Sequence, residues 1–230
     1  MAAGKRLGGR FRPVRFSFVR VAYCRRWALS GAEKSGVDVG RLSEVLSSEE
    51  FCVTAVRGLS RQDVLDRLGI VAGEDMPAYR IDNAAEHLGM DAWAVRLYSD
   101  PGSEWFYLID VNGHEGASHK RPVLRRLSRG TEAVSVWSLL SSTTHVTQAR
   151  DGEIVATCNT WLFEPASGSD PDRLNGALER AGFFREDETE EDFDDARAAL
   201  EAVEEEFHWR VKPGAVEGPL PTVIVPVLLD

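Results

Sequence analysis

The sequence has no apolar run of about 18 residues, so no segment reads as a membrane-spanning helix. Its basic N-terminus is not followed by an apolar core and a small-residue cleavage site, so it does not read as a secretory signal. Cysteine is scarce: Cys24, Cys52 and Cys158 are odd in number and far apart. That suits a reduced, cytoplasmic protein better than a disulfide framework. There is no Cys-x-x-Cys pair to hold structural zinc, and Cys52 and Cys158 read as small core residues on strands. Also missing are Gly-x-x-x-x-Gly-Lys-Ser/Thr, Gly-x-Gly-x-x-Gly, Gly-x-Ser-x-Gly and His-Glu-x-x-His. The reading therefore assigns no cofactor, no metal and no catalytic residue.

What is present is charge, unevenly placed. The net charge is −10, yet residues 1–36 hold nine Lys or Arg against the single acid Glu33, so the remaining 194 residues carry −18. An acidic body repels phosphates, which leaves residues 1–36 as the main route to a nucleic acid. In that arm Arg10, Arg12, Arg15 and Arg20 alternate with Phe11, Phe16 and Phe18 without a helical or strand period. It reads as a disordered arm, or as upstream sequence if the true start lies near Val37.

Residues 37–230 read as one α+β domain: an antiparallel meander of five or six strands with short helices packed on it. Strands are expected over 51–56, 92–98, 104–110, 131–140, 143–150 and 153–162, from β-branched and aromatic residues at alternating spacing. Asp100-Pro101-Gly102, Asn112-Gly113 and Asp151-Gly152 supply turns. Ser60 is expected to cap a helix that ends at Gly69. Further helices are expected at 41–46, 81–88 and 123–127, and Asp170-Pro171 reads as the cap and first turn of another that buries Leu174, Ala177 and Leu178. Over 186–207, Phe193, Ala196, Leu200, Val203 and Phe207 fall on one face of an acidic helix whose carboxylates would cover the rest. The run 219–229 suits an edge strand or a packed tail.

Few residues invite chemistry. Asp110, His114, Glu115 and His145 are the candidate ligand-binding set, with a pocket at the open edge of the sheet. His114-Glu115 with His119 is spaced one residue too long for two metal ligands on adjacent helical turns, and reads as a polar turn. Arg121, Arg125, Arg126 and Arg129 form a basic cluster for an anion or a partner, or for docking on the protein's own acidic helix.

The order Glu104-Trp105, Asn112-Gly113-x-x-Gly116-x-Ser118, Leu127-Ser128-Arg129-Gly130-Thr131 and Val134-Ser135-Val136-Trp137 resembles an uncharacterised actinobacterial family, domain of unknown function 6461. Asp151-Gly152 and Gly168-x-Asp170-Pro171-Asp172-x-Leu174 match its later part, and the likeness spans about residues 40–210. The resemblance implies a small intracellular protein without an assigned reaction, and brings no catalytic residues. The family's usual aromatic after the Asn-Gly pair is replaced here by His114, and residues 1–36 have no counterpart in its pattern. Together these features are read as a non-enzymatic cytoplasmic interaction or regulatory module, of an immunity-like kind, with a protein partner. The alternatives are a small-molecule binder or hydrolase around Asp110, His114 and His145, and a weak nucleic-acid contact through residues 1–36.

Overall fold

The computed structural model describes residues 39–46, 50–71, 76–89, 93–139, 143–160, 166–184 and 194–226. The basic arm 1–36, Cys24, Trp161 and Phe193 lie outside them. The described chain builds β1 (Phe51–Arg57), α1 (Arg61–Leu68), β2 (Ala78–Tyr79), α2 (Ala84–Leu88), β3 (Ala94–Ser99), β4 (Trp105–Asp110) and α3 (Arg121–Leu127). It continues through β5 (Glu132–Leu139), β6 (Thr143–Arg150), β7 (Glu153–Asn159), α4 (Asn175–Arg180), α5 (Asp195–Glu206), α6 (Pro213–Glu217) and β8 (Leu220–Ile224). A 3-10 turn at Leu42–Glu44 precedes β1.

The fold is α+β, with one open antiparallel sheet of eight strands in the order β2-β8-β3-β4-β1-β5-β6-β7. The expected five or six strands were an undercount, and the meander is only partial. β3–β4 and β5–β6–β7 connect as hairpins, but β1 is inserted between β4 and β5. The run 219–229 was expected as an edge strand or a packed tail. Its strand β8 instead lies inside the sheet, pairing with β3 on one side and the two-residue β2 on the other.

Alternation along the strands gives the sheet two buried faces. On the first, Val53, Ala55, Tyr107, Ile109, Val134 and Val136 meet α4, α5 and the 3-10 turn. On the second, Val56, Phe106, Leu108 and Ala133 meet Val64, Leu65 and Leu68 of α1 and Val123, Leu124 and Leu127 of α3. α1 starts as expected: Ser60 Oγ accepts from Asp63 N (3.2 Å) and Asp63 Oδ2 accepts from Ser60 N (3.0 Å). Asp170 does not act as a cap. Residues 171–174 form turns first, and α4 begins at Asn175 without a side-chain cap.

Among the described residues, two charged side chains are buried in the first face. Glu204 of α5 was expected among solvated carboxylates, but is fully buried. It lies four residues past Leu200, on the same helical face. Its carboxylate accepts from Leu42 N, from Ser43 N (3.2 Å) and from Ser43 Oγ (2.7 Å). Burial raises its pKa, and these donors oppose the shift. Arg96 of β3 donates to Tyr79 O (3.1 Å), Val216 O (2.6 Å) and Gly218 O (2.7 Å), tying β2 and the end of α6 to the sheet.

The outer side of β7 is covered by its own chain. Ser167 exchanges two backbone hydrogen bonds with Thr157, and Ser169 N and Asp170 N donate to Ile154 O and Val155 O. Gly168, at φ +133°, passes so close that a Cβ there would lie 2.2 Å from Val155 O.

Candidate functional site

Asp110 ends β4 on the second face and is 9% exposed. Its carboxylate accepts from Ala117 N, from Ser118 N (3.2 Å) and from Ser118 Oγ. Burial pushes its pKa up to about 6, against the pull of the Ser118, Ala117 and Cys52 donors. Ser118 Oγ is also 2.9 Å from Thr54 Oγ1, which is 3.0 Å from Ser135 Oγ, and 3.3 Å from Cys52 Sγ. Asp110 thus terminates a buried polar chain that crosses β1 and β5 and anchors the loop between β4 and α3.

That loop also fits around glycine. A Cβ on Gly113 would lie 2.7 Å from the backbone of Glu50 and Phe51, and one on Gly116 would lie 2.6 Å from His119 Nδ1. His119 stacks on Trp137 (centroids 4.6 Å, planes 9° apart), and His145 meets Trp137 edge-on at 5.0 Å. Trp137 Nε1 donates to Gly113 O (2.8 Å).

Cys52 Sγ lies 3.8 Å from His119 Nδ1. A nucleophilic thiol needs a lowered pKa and access. Burial and the charge of Asp110 raise the Cys52 pKa well above its ordinary value, and the residue has no exposed surface. Burial also holds His119 neutral, with a pKa down at about 3. The pair is packed and hydrogen-bonded, not activated.

Of the candidate set, Asp110 is buried and committed to its loop. His114 is half exposed, with Nδ1 3.9 Å from Glu50 Oε1. Glu115 is exposed in the turn, and His145 packs on Trp137. Trp137 brings His119 and His145 together, while Asp110 reaches its neighbours through Ser118. Among the described residues no group of three or more His, Cys, Asp or Glu is placed to hold a metal.

Arg121, Arg125 and Arg126 of the basic cluster lie on α3, with Arg129 just past its end; the apolar side of α3 packs on the second face, whereas acidic α5 packs on the first. Docking of one on the other is excluded by the sheet between them. Arg125 and Arg129 are exposed, Arg126 is half-buried, and Arg121 Nη2 reaches Ser167 Oγ at 3.2 Å. Glu206 of α5 is met by Arg173 and by Arg180 of α4 (2.8 and 3.2 Å).

A cleft of about 460 Å³ lies elsewhere, between the β3–β4 turn and the segment following α5. A second, of about 480 Å³, lies on the other side of the same turn, bordered by Leu59, Ser60 and Arg61. The turn is therefore a ridge between two hollows. In the first, Trp105 and Phe207 meet edge-to-face at 5.9 Å, and Trp105 Nε1 donates to Phe207 O (3.0 Å). Arg57 sits over the Trp105 ring at 5.7 Å and grips Glu104 at 2.7 and 3.0 Å. Lys212 Nζ reaches Asp100 Oδ1 at 2.9 Å.

The far wall begins at the end of α5. His208 N and Trp209 N bond back to Glu205 O and Glu204 O, a helix-ending pattern that favours glycine at position 208. His208 adopts φ +55° there, at a cost of order 1 kcal/mol relative to glycine. The chain then runs extended, burying Trp209 and Val211 in the core. His208, Arg210 and Lys212 alternate with them and border the cleft. This wall was missed in the sequence, although the period-two alternation from 208 to 212 is a readable signal.

Among known families, residues 42–207 match a family of unknown function (DUF6461). No curated protein and no solved structure matches the chain.

Proposed function

The chain belongs to the DUF6461 family, and from that premise we propose that it is a non-enzymatic interaction module that receives a segment of a partner protein against the β3–β4 ridge. The observation that carries this reading is the cleft beside that ridge, lined by Trp105 and Phe207 together with charged residues such as Arg57 and Arg210. Arginine and tryptophan in a partly desolvated hollow are the residue types that dominate partner binding. The free, buried Cys52 and Cys158 suit a reduced cytoplasmic setting, and a regulatory or immunity-like role is the form such a module would take. Compared with this, a small-molecule pocket around Asp110, His114 and His145 has less support, because the oxygens of Asp110 are already taken by the loop they anchor.

The test is position-specific photo-crosslinking in a lysate of the source organism. A photoreactive residue at Pro101, on the ridge, is expected to give a discrete adduct with another protein, and one at Arg125 on α3 is not. Excess unlabelled protein should suppress the adduct. Equal labelling from both positions, or none from Pro101, removes the reading.

A further inference from the structure

We propose that the cleft takes a carboxylate-rich segment of the partner, held by the wall of His208, Arg210 and Lys212. This rests on the interaction reading above and adds the chemistry of what is bound. Three observations support it.

First, alternation aligns these residues. Trp209 and Val211 are 0% and 1% exposed, so the intervening His208 and Arg210 stay at the surface, with Lys212 half-buried beside them. Second, one cation of the wall is not cancelled. Glu104 is matched by Arg57 and Asp100 by Lys212. That leaves Arg210, whose Nη1 meets only the carbonyls of Trp209 (2.5 Å) and Glu204 (3.4 Å), without a carboxylate among the described residues. Carbonyls satisfy the donors of a guanidinium but not its charge. A local excess of positive charge in a strongly acidic body is a directional signal for an anion. Third, position 208 keeps a side chain where glycine would relieve the backbone, and the imidazole it retains borders this cleft. Next to the charged wall, Val39 (55% exposed) and Pro101 offer apolar contact. The surface thus fits an aliphatic residue flanked by acids. The family match ends at Phe207, so the wall lies just beyond the matched span.

The probe is a fluorescein-labelled peptide, Glu-Glu-Leu-Glu-Glu, read by anisotropy on the full chain, with Gln-Gln-Leu-Gln-Gln as its uncharged counterpart. The acidic peptide is expected to bind in a salt-sensitive manner, and the glutamine peptide at least about tenfold more weakly. Arg210→Glu should weaken acidic-peptide binding about tenfold or more, whereas Arg125→Glu on α3 leaves it unchanged. His208→Gly is the sharper variant. It should raise Tm by roughly 2–4 °C, by relieving the left-handed backbone, and still lose affinity severalfold. A position that serves only the fold would not separate these two readouts. The proposal is overturned if both peptides bind alike, if Arg210→Glu and His208→Gly bind as the unaltered chain does, or if a single-stranded oligonucleotide competes through Arg210. Loss of the Pro101 adduct is a different failure, since it removes the partner reading itself.

Discussion

Glu204 and Asp110 lie on opposite faces of one sheet and are held by the same set of donors. Each is a buried carboxylate that accepts from two successive backbone N–H groups and from the hydroxyl of the second residue, Ser43 in one case and Ser118 in the other. Each thereby pins a non-repetitive segment to the core: the 3-10 turn before β1, and the loop from β4 to α3. The difference lies on the far side of the serine. On the first face the network stops there among the described residues. On the second it continues through Thr54 and Ser135 across β1 and β5, with Cys52 alongside. Buried polar groups require partners, and here the requirement is met by building a scaffold. Polar residues gathered at one end of a sheet are thus accounted for by anchoring, before any chemistry is invoked.

The comparison is broken most directly by removing each carboxylate. Glu204→Ala and Asp110→Ala each strand three donors and should cost roughly 3–5 kcal/mol in urea denaturation. A loss below about 1 kcal/mol at either site would show that the two anchors are not equivalent. The next effect is a pH dependence. A carboxyl whose folded pKa exceeds its unfolded value holds more protons when folded, in the interval between the two. For Asp110, with its pKa raised from 3.8 to about 6, stability falls as pH rises through that window and is level above it. The fall amounts to roughly 2–3 kcal/mol. It should be missing from the stability–pH curve of Asp110→Asn, and Glu204→Gln should remove a fall of the same sign that begins near 4.5. A curve for Asp110→Asn parallel to that of the unaltered chain would contradict this assignment.

Gly113→Ala sharpens the comparison by attacking the Asp110 loop from its other side. The added methyl meets the backbone of Glu50 and Phe51 at 2.7 Å, and should cost about 2 kcal/mol by forcing the loop outward. The smallest effects belong to the outer surfaces. Arg197→Ala on α5 removes an exposed i,i+4 pair with Glu201, and Arg125→Ala removes an exposed cation on α3. Each should stay within about 0.5 kcal/mol.

Much of the fold was legible because strands and caps are local. Alternation placed Trp105, Tyr107 and Ile109 on one face and Phe106 and Leu108 on the other, as found. Ser60 and Gly69 bounded α1 as expected. What failed was long-range. No local pattern says that β1 will pair with the distant β4 and β5, or that β8 will come back to β3. Asp170 carries capping chemistry, but the backbone there is used in turns and in pairing with β7. Charge was the other blind spot. Glu204 looks like its solvated neighbours until the fold brings Ser43 to it, and α3 looks complementary to α5 until the sheet separates them. At the cleft, the alternation of His208, Arg210 and Lys212 with Trp209 and Val211 was visible in the sequence. The opposing ridge that turns it into a wall was not.

Gly168 bears on how the molecule behaves in a crowd. By lying flat against β7, residues 167–170 occupy backbone groups that a neighbouring molecule could otherwise use to extend the sheet. Any side chain at 168 would lift that strap off Val155, and the bared strand would become a template for recruiting further copies. The lesion would then register as fibrils or precipitate in storage, well before it registered as unfolding.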